Sequence, residues 1–131
     1  MARILVIDDE PDVRLVIQEA LASAGHEVVV AANGVEGLRA QHALPAQIAL
    51  VDLFMPEKEG VETIQDFRRQ FPEVKLIAMS GGGRSLDGGF YLSAVSQLGA
   101  SAVLRKPFDC AALLGVIERL LGDPSEPDAP P

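Results

Sequence analysis

The sequence predicts an α/β fold in which a five-stranded parallel sheet carries helices on both faces. Short, mainly apolar runs of four to six residues recur along the chain. Segments whose apolar residues repeat at helical spacing alternate with these runs, and glycines and prolines separate the two. Strands that alternate with helices form parallel sheets through right-handed crossovers, which place helices on both faces.

The first strand and the first helix show the pattern most clearly. Residues 4–7 are a continuous run of branched apolar residues, as is typical of a strand buried on both faces. Pro11 suits a first helical position, and Gly25 ends the segment. The residues expected to face the core at helical spacing are Val13, Val16, Ile17, Ala20, Leu21 and Ala24.

The rest of the chain repeats this alternation. Further strands are predicted at residues 28–32, 48–53, 75–79 and 102–105. Further helices are predicted from the Asn33-Gly34 turn to about His42, from about Val61 to Phe71, from about Phe90 to Leu98, and from Asp109, which can cap the helix, to Leu121. Pro72 and Gly122 end two of these helices.

Composition limits the class of protein. The 131 residues, 48% hydrophobic and 23% charged, are enough for one domain with its own core. A net charge of −8 argues against nucleic acid as the main partner. No apolar run approaches the roughly 20 residues that span a bilayer, and the amino-terminal run is too short for a signal peptide. The single cysteine, Cys110, excludes an intrachain disulfide. We therefore expect a cytoplasmic protein that binds neither membranes nor nucleic acids.

Polar residues stand at the ends of four predicted strands. Asp8 and Asp9 follow the first strand, Asp52 ends the third, Ser80 follows the fourth, and Lys106 follows the fifth. Because parallel strands place their carboxyl ends at one edge, we expect these side chains to share a crevice. Like charges about 4 Å apart repel by roughly 4 kcal/mol at an effective dielectric near 20. One lysine does not neutralise three acids, so the crevice is predicted to attract a divalent cation and a phosphoryl group.

Four motifs follow predicted strands in a fixed order. They are Val6-Ile7-Asp8-Asp9-Glu10-Pro11, Val51-Asp52-Leu53-Phe54-Met55-Pro56, Met79-Ser80-Gly81 and Arg105-Lys106-Pro107-Phe108. Together they resemble the receiver domain of response regulators in two-component signalling. The resemblance implies a doubly wound, flavodoxin-like sheet of order 2-1-3-4-5 within a domain at residues 1–121. Residues 122–131, rich in proline and acids, are expected to form a disordered tail.

The resemblance implies a phosphorylation cycle on Asp52. A sensor histidine kinase or a histidine phosphotransfer protein would be the donor, and the signal would pass to an unknown downstream protein. Lys106 would pair with the phosphoryl oxygens, and Ser80 would hydrogen-bond to one of them. The implied ligands of Mg²⁺ are Asp8, Asp9, Asp52 and the backbone carbonyl of Phe54. Such a domain would catalyse much of its own phosphoryl transfer and dephosphorylation while serving mainly as a signalling module.

Two other functions compete with this interpretation. One is a degenerate receiver that acts only as a protein-interaction scaffold, against which the complete set of acids and lysine argues. The other is a small α/β enzyme or nucleotide binder that uses Gly81-Gly82-Gly83 as a phosphate cradle, although the spacing of known phosphate loops is absent. Val103 stands where receivers usually carry an aromatic residue. A further hypothesis is that the long loop at residues 81–89 becomes ordered on phosphorylation, with two alternatives for Arg84: it faces the phosphate or it is simply solvated.

Overall fold

A computed structural model describes residues 2–53, 59–80, 99–106 and 108–122. The strands in these ranges are β1 (Arg3–Ile7), β2 (Glu27–Ala31), β3 (Ile48–Asp52), β4 (Lys75–Ser80) and β5 (Ala102–Arg105). The helices are α1 (Pro11–Ser23), α2 (Gly34–Ala43), α3 (Glu59–Gln70) and the C-terminal helix (Cys110–Leu121). The predicted helix at residues 90–98, the loop at 81–89 with Arg84, and all of the predicted tail after Gly122 lie outside the described residues.

The strands form one parallel sheet of order β2-β1-β3-β4-β5, which confirms the predicted order. The three interior strands, β1, β3 and β4, are buried almost throughout, in agreement with their mainly apolar sequences. At the carboxyl edge, Asp52 is in register with Met79, and Ser80 is in register with Arg105. The chain segments that leave β1, β3, β4 and β5 therefore start from the same edge of the sheet.

Helices cover both faces of the sheet, as predicted. On one face α1 and the C-terminal helix share a core with alternate side chains of the strands. That core includes Ile4, Val6, Ile17, Leu50, Leu113 and Ile117. On the opposite face α2 and α3 cover the other side chains. This second core includes Leu5, Ile7, Val51, Ile64, Phe67 and Leu76.

Several local predictions differ from the structure. Val16 was expected in the core but is 59% exposed, because at 100° per residue it lies well away from the buried Ile17 and Leu21. Ala24 was also expected in the core, but it lies beyond Ser23, the last residue of α1, and is exposed. Asn33 and Gly34 were expected to form a turn before α2, but Asn33 is the N-cap of that helix. Its Oδ1 accepts a hydrogen bond from the Glu36 backbone N–H at 2.8 Å, which satisfies one of the unpaired donors of the first turn.

The observed starts of α3 and of the C-terminal helix lie close to the predicted positions. α3 begins two residues before the predicted Val61, at Glu59, since Glu59 and Gly60 carry no large apolar side chain and Val61 is the first residue of the apolar pattern. The prediction that Asp109 caps the C-terminal helix is confirmed, because its Oδ1 accepts from the Ala112 N–H at 2.8 Å.

Among the helices that the structure describes, none combines the length and apolarity needed to cross a bilayer.

Candidate functional site

Asp8, the first residue after β1, is fully buried and held by four hydrogen bonds. Its backbone N–H donates to the Ala31 carbonyl at 3.1 Å, which continues the pairing with β2. Its Oδ1 accepts from the Glu10 N–H at 2.9 Å. Its carbonyl oxygen accepts from Nη1 of Arg14 at 2.7 Å. The fourth bond joins Oδ2 to Nζ of Lys106. The position of this carboxylate is therefore set by β1, β2, α1 and the residue after β5.

Lys106 brings its ammonium group between two buried carboxylates. Nζ lies 3.1 Å from Oδ2 of Asp8 and 3.5 Å from Oδ2 of Asp52. The Lys106 backbone N–H donates to the Ser80 carbonyl at 2.7 Å, so the end of β4 fixes where the lysine leaves the sheet. The lysine side chain is 20% exposed. One ammonium group thus contacts two carboxylates that lie far from it in the sequence, at positions 8 and 52.

The surroundings of Lys106 favour its charged form. Burial by itself lowers the pKa of the ammonium group. The charge of Asp52 opposes this effect, and so do the hydrogen bond and charge of Asp8 and the charge of Glu10; together they hold the pKa above its ordinary value. At neutral pH the site therefore contains a fixed positive charge beside two buried carboxylates.

Three carboxylates converge at this edge. One ligand oxygen each from Asp8, Asp9 and Asp52 lies within 4.8 Å of the others. Asp8 and Asp52 are buried, whereas Asp9 is exposed, so the cluster reaches the surface at Asp9. Oxygens around an octahedral Mg²⁺ lie about 3 to 4 Å apart, since each metal–oxygen bond is about 2.1 Å. The donor set therefore fits a hard divalent cation such as Mg²⁺, which usually keeps several waters in its coordination shell.

Backbone contacts hold Asp52 and Ser80 at the ends of neighbouring strands. Asp52 is the last residue of β3, and the Leu53 N–H beyond it donates to the Met79 carbonyl at 2.9 Å. Ser80, also buried, is the last residue of β4. Gly60 in the first turn of α3 lies directly on this strand end. A Cβ at Gly60 would overlap the Asp52 carbonyl oxygen and would lie 2.6 Å from the Leu53 Cα.

The structure brings together the predicted side chains of Asp8, Asp9, Asp52 and Lys106. Ser80 is joined to them through its carbonyl bond to Lys106. The predicted ligand Phe54 lies outside the described residues.

The sequence prediction did not include two residues that contact the site. Arg14 binds the Asp8 carbonyl, and Gly60 lies on the backbone of Asp52. Arg14 could have been noticed as a cation one helical turn after the acidic motif. Gly60 carried no signal beyond being a glycine near a helix start.

The sequence model of one protein family, the response regulator receiver domain, matches residues 4–118, which is most of the chain. The chain belongs to this family. It is therefore a receiver domain of the kind found in two-component response regulators.

Val103, at the position where receivers usually carry an aromatic residue, is half-buried and packs against the core on the α2–α3 face.

Individual receiver proteins support the assignment. The chain is 33% identical over 132 residues to the DNA-binding transcriptional regulator NtrC of Azospirillum brasilense, covering 99% of this chain and 26% of that protein. It is 27% identical to the chemotaxis protein CheY of Thermotoga maritima, covering 90% of this chain and 96% of that one. A CheY-like receiver structure from Methanospirillum hungatei JF-1 superposes with a TM-score of 0.81 at 31% identity, covering 92% of this chain and 94% of the other. The chain thus spans about a quarter of its NtrC relative and nearly all of a single receiver.

Proposed function

We propose that this receiver accepts a phosphoryl group on Asp52 in the presence of Mg²⁺ and passes the signal to a partner protein. The observation that carries the proposal is the placement of Lys106 beside Asp52, within the three-carboxylate cluster. A site that only docked a protein would not need two buried carboxylates held against one ammonium group. The proposed receiver domain occupies residues 1–121.

Asp52 is the proposed nucleophile. One of its carboxylate oxygens bonds to phosphorus while the bond between phosphorus and the donor imidazole breaks. The phosphorylated ring is in its protonated, cationic form, so it keeps the electron pair of the broken bond and leaves as neutral imidazole. Lys106, now 3.5 Å from Asp52 Oδ2, can pair with the phosphoryl oxygens as negative charge accumulates on them. Ser80, the buried last residue of the neighbouring strand β4, is the proposed hydrogen-bond donor to one oxygen of the product. A bound Mg²⁺, held by Asp8, Asp9 and Asp52 with the Phe54 carbonyl, would supply further charge neutralisation.

Loss of the phosphoryl group is the second proposed activity. The acyl phosphate on Asp52 can be attacked in line by water, with carboxylate as the leaving group. Asp9, which is exposed, marks the side from which water reaches the cluster. The signal is therefore self-limiting, and the same residues serve both steps.

The proposed donor is a sensor histidine kinase or a histidine phosphotransfer protein in the cytoplasm. The proposed recipient of the signal is a protein rather than DNA, because the chain carries a net charge of −8. The NtrC relative is a DNA-binding regulator about four times as long, and this chain matches a quarter of it. We therefore do not propose that this chain binds DNA.

Intact-mass measurement after incubation with acetyl phosphate and Mg²⁺ tests the proposal. The wild type is expected to gain one phosphoryl group that hydroxylamine removes, as an acyl phosphate requires. Asp52→Asn is expected to gain none. Asp12→Asn is the matched control, since it removes an exposed carboxylate in the first turn of α1 and should be labelled like the wild type. An unlabelled wild type, or equal labelling of Asp52→Asn, contradicts the proposal.

A further inference from the structure

Arg14 makes a contact that the proposed reaction does not use directly. It lies in the first turn of α1, is half-buried, and donates from Nη1 to the Asp8 carbonyl at 2.7 Å. The distance is short for an N–H···O bond, as expected when the donor carries a charge. The other three bonds of Asp8 fix its amide and its carboxylate. Arg14 is the group that holds its carbonyl.

The Asp8 carbonyl belongs to the peptide unit that joins Asp8 to Asp9. That unit is planar, so fixing the carbonyl oxygen also fixes the direction of the Asp9 N–H and the path of the chain into Asp9. Asp8 is fully buried and Asp9 is exposed, and yet both reach within 4.8 Å of Asp52. Asp8 and Asp9 are adjacent in the chain, so their carboxylates can both reach Asp52 only if the peptide between them has one particular orientation.

We infer that Arg14 is a positioning residue that orients the Asp8–Asp9 peptide and so prepares the acid pair for a divalent cation. The inference rests on the proposed function only for the identity of the cation, Mg²⁺. Groups that orient metal ligands without touching the metal typically change metal affinity by about 10- to 100-fold when they are removed.

A simple electrostatic role predicts the opposite sign. Arg14 is a cation bound to the backbone of Asp8, a member of the carboxylate cluster, and a cation there repels Mg²⁺. If Arg14 acted only through its charge, its removal would tighten Mg²⁺ binding. If it acts by orienting the peptide, its removal weakens binding, although the net charge of the site becomes more negative. The direction of the change therefore separates the two roles.

Calorimetric titration with Mg²⁺ alone, at constant ionic strength, tests the inference. R14M, which removes the donor and the charge but keeps an apolar stem, is expected to raise the dissociation constant about tenfold. R14K, which keeps the charge and one donor, should stay within about threefold of the wild type. R39M is the control, because it removes an exposed cation from α2, away from the acids. Where R14M does not fold, as judged by circular dichroism, R14Q takes its place with the same expected weakening.

A nuclear magnetic resonance measurement gives a second readout in the absence of Mg²⁺. The Asp9 amide nitrogen shares the peptide that Arg14 contacts, so its resonance should shift in R14M and stay near its wild-type position in R39M. Unchanged or tighter Mg²⁺ binding by R14M and R14Q would overturn the inference. A wild type that takes up no Mg²⁺ would instead overturn the proposed metal site, so the two failures are distinguishable.

Discussion

Asp8 and Asp52 are two buried carboxylates that share the ammonium group of Lys106. Their side chains are 0% and 4% exposed, and the lysine side chain is 20% exposed. Moving a charge from water into the protein interior costs free energy, and this cost is offset only when a partner of opposite charge lies beside it. The arrangement makes Lys106 important for stability when no divalent cation is bound.

Lys106→Met is expected to lower the free energy of unfolding by about 3 kcal/mol at neutral pH, because it removes an ammonium group that lies beside two buried carboxylates. Urea denaturation in the presence of a chelator measures the change. Arg105→Met is the matched control, since Arg105 is the exposed cation next to Lys106, and its loss should cost less than about 0.5 kcal/mol. Equal effects of the two substitutions would show that Lys106 does not stabilise the acids.

The raised pKa of Lys106 predicts how its stabilising effect depends on pH. A group whose pKa is higher in the folded state contributes fully below its unfolded pKa and loses its contribution as the pH rises through the folded pKa. For Lys106 that loss falls above about pH 10.5, the ordinary value from which its pKa is raised. The difference in unfolding free energy between wild type and Lys106→Met should therefore be constant from about pH 8 to 10 and shrink above this range. A difference that grows with rising pH would contradict the assignment.

At the scale of elements, α3 approaches the site closely through its backbone at Gly60. Its first turn lies on the end of β3, and Gly60 permits the approach because it has no Cβ. The neighbours that a Cβ would meet are backbone atoms of Asp52 and Leu53, which cannot rotate away as the end of a side chain can. The position of Asp52 is thus tied directly to the start of α3.

Gly60→Ala is expected to destabilise the domain by about 2 kcal/mol, as is typical of overpacking against atoms that cannot yield. Gly115→Ala is a matched control in the C-terminal helix, where a Cβ would meet nothing within 4 Å. That substitution should stabilise the domain by about 0.5 to 1 kcal/mol, since alanine is the better helix former. Thermal or urea unfolding of both variants measures the contrast, and two changes of the same sign would argue against the close approach of α3.

At the scale of the whole molecule, the sequence was sufficient to predict the sheet and the convergence of the site. Parallel strands share a carboxyl edge, so the apolar runs predicted one edge for Asp8, Asp52 and Lys106. The strand order came from the resemblance to receiver domains. The contacts of Arg14 and Gly60 could not be predicted in this way. They depend on the rotamer of one side chain and on how closely one helix approaches one strand, and neither leaves a periodic signal in the sequence.

The whole chain is acidic, and this affects how cation binding must be measured. With a net charge of −8, the folded state is stabilised by any salt that screens repulsion between its carboxylates. Binding at a specific site raises the free energy of unfolding further. An ion that binds only the folded state raises it by about 2.7 kcal/mol when the ion concentration is 100 times the dissociation constant. Mg²⁺ must therefore be compared with NaCl at equal ionic strength.

We expect Mg²⁺ to raise the unfolding temperature of the wild type more than NaCl of the same ionic strength does. Asp9→Asn should lose most of this excess, because it removes one carboxylate of the cluster. Since Asp9 is exposed, the substitution leaves no buried group without a partner. Asp12→Asn makes the same change in charge in the first turn of α1 and should keep the excess. If Mg²⁺ and NaCl stabilised all three proteins equally, the effect would be general screening of the acidic chain, and the carboxylates at the sheet edge would not form a specific cation site.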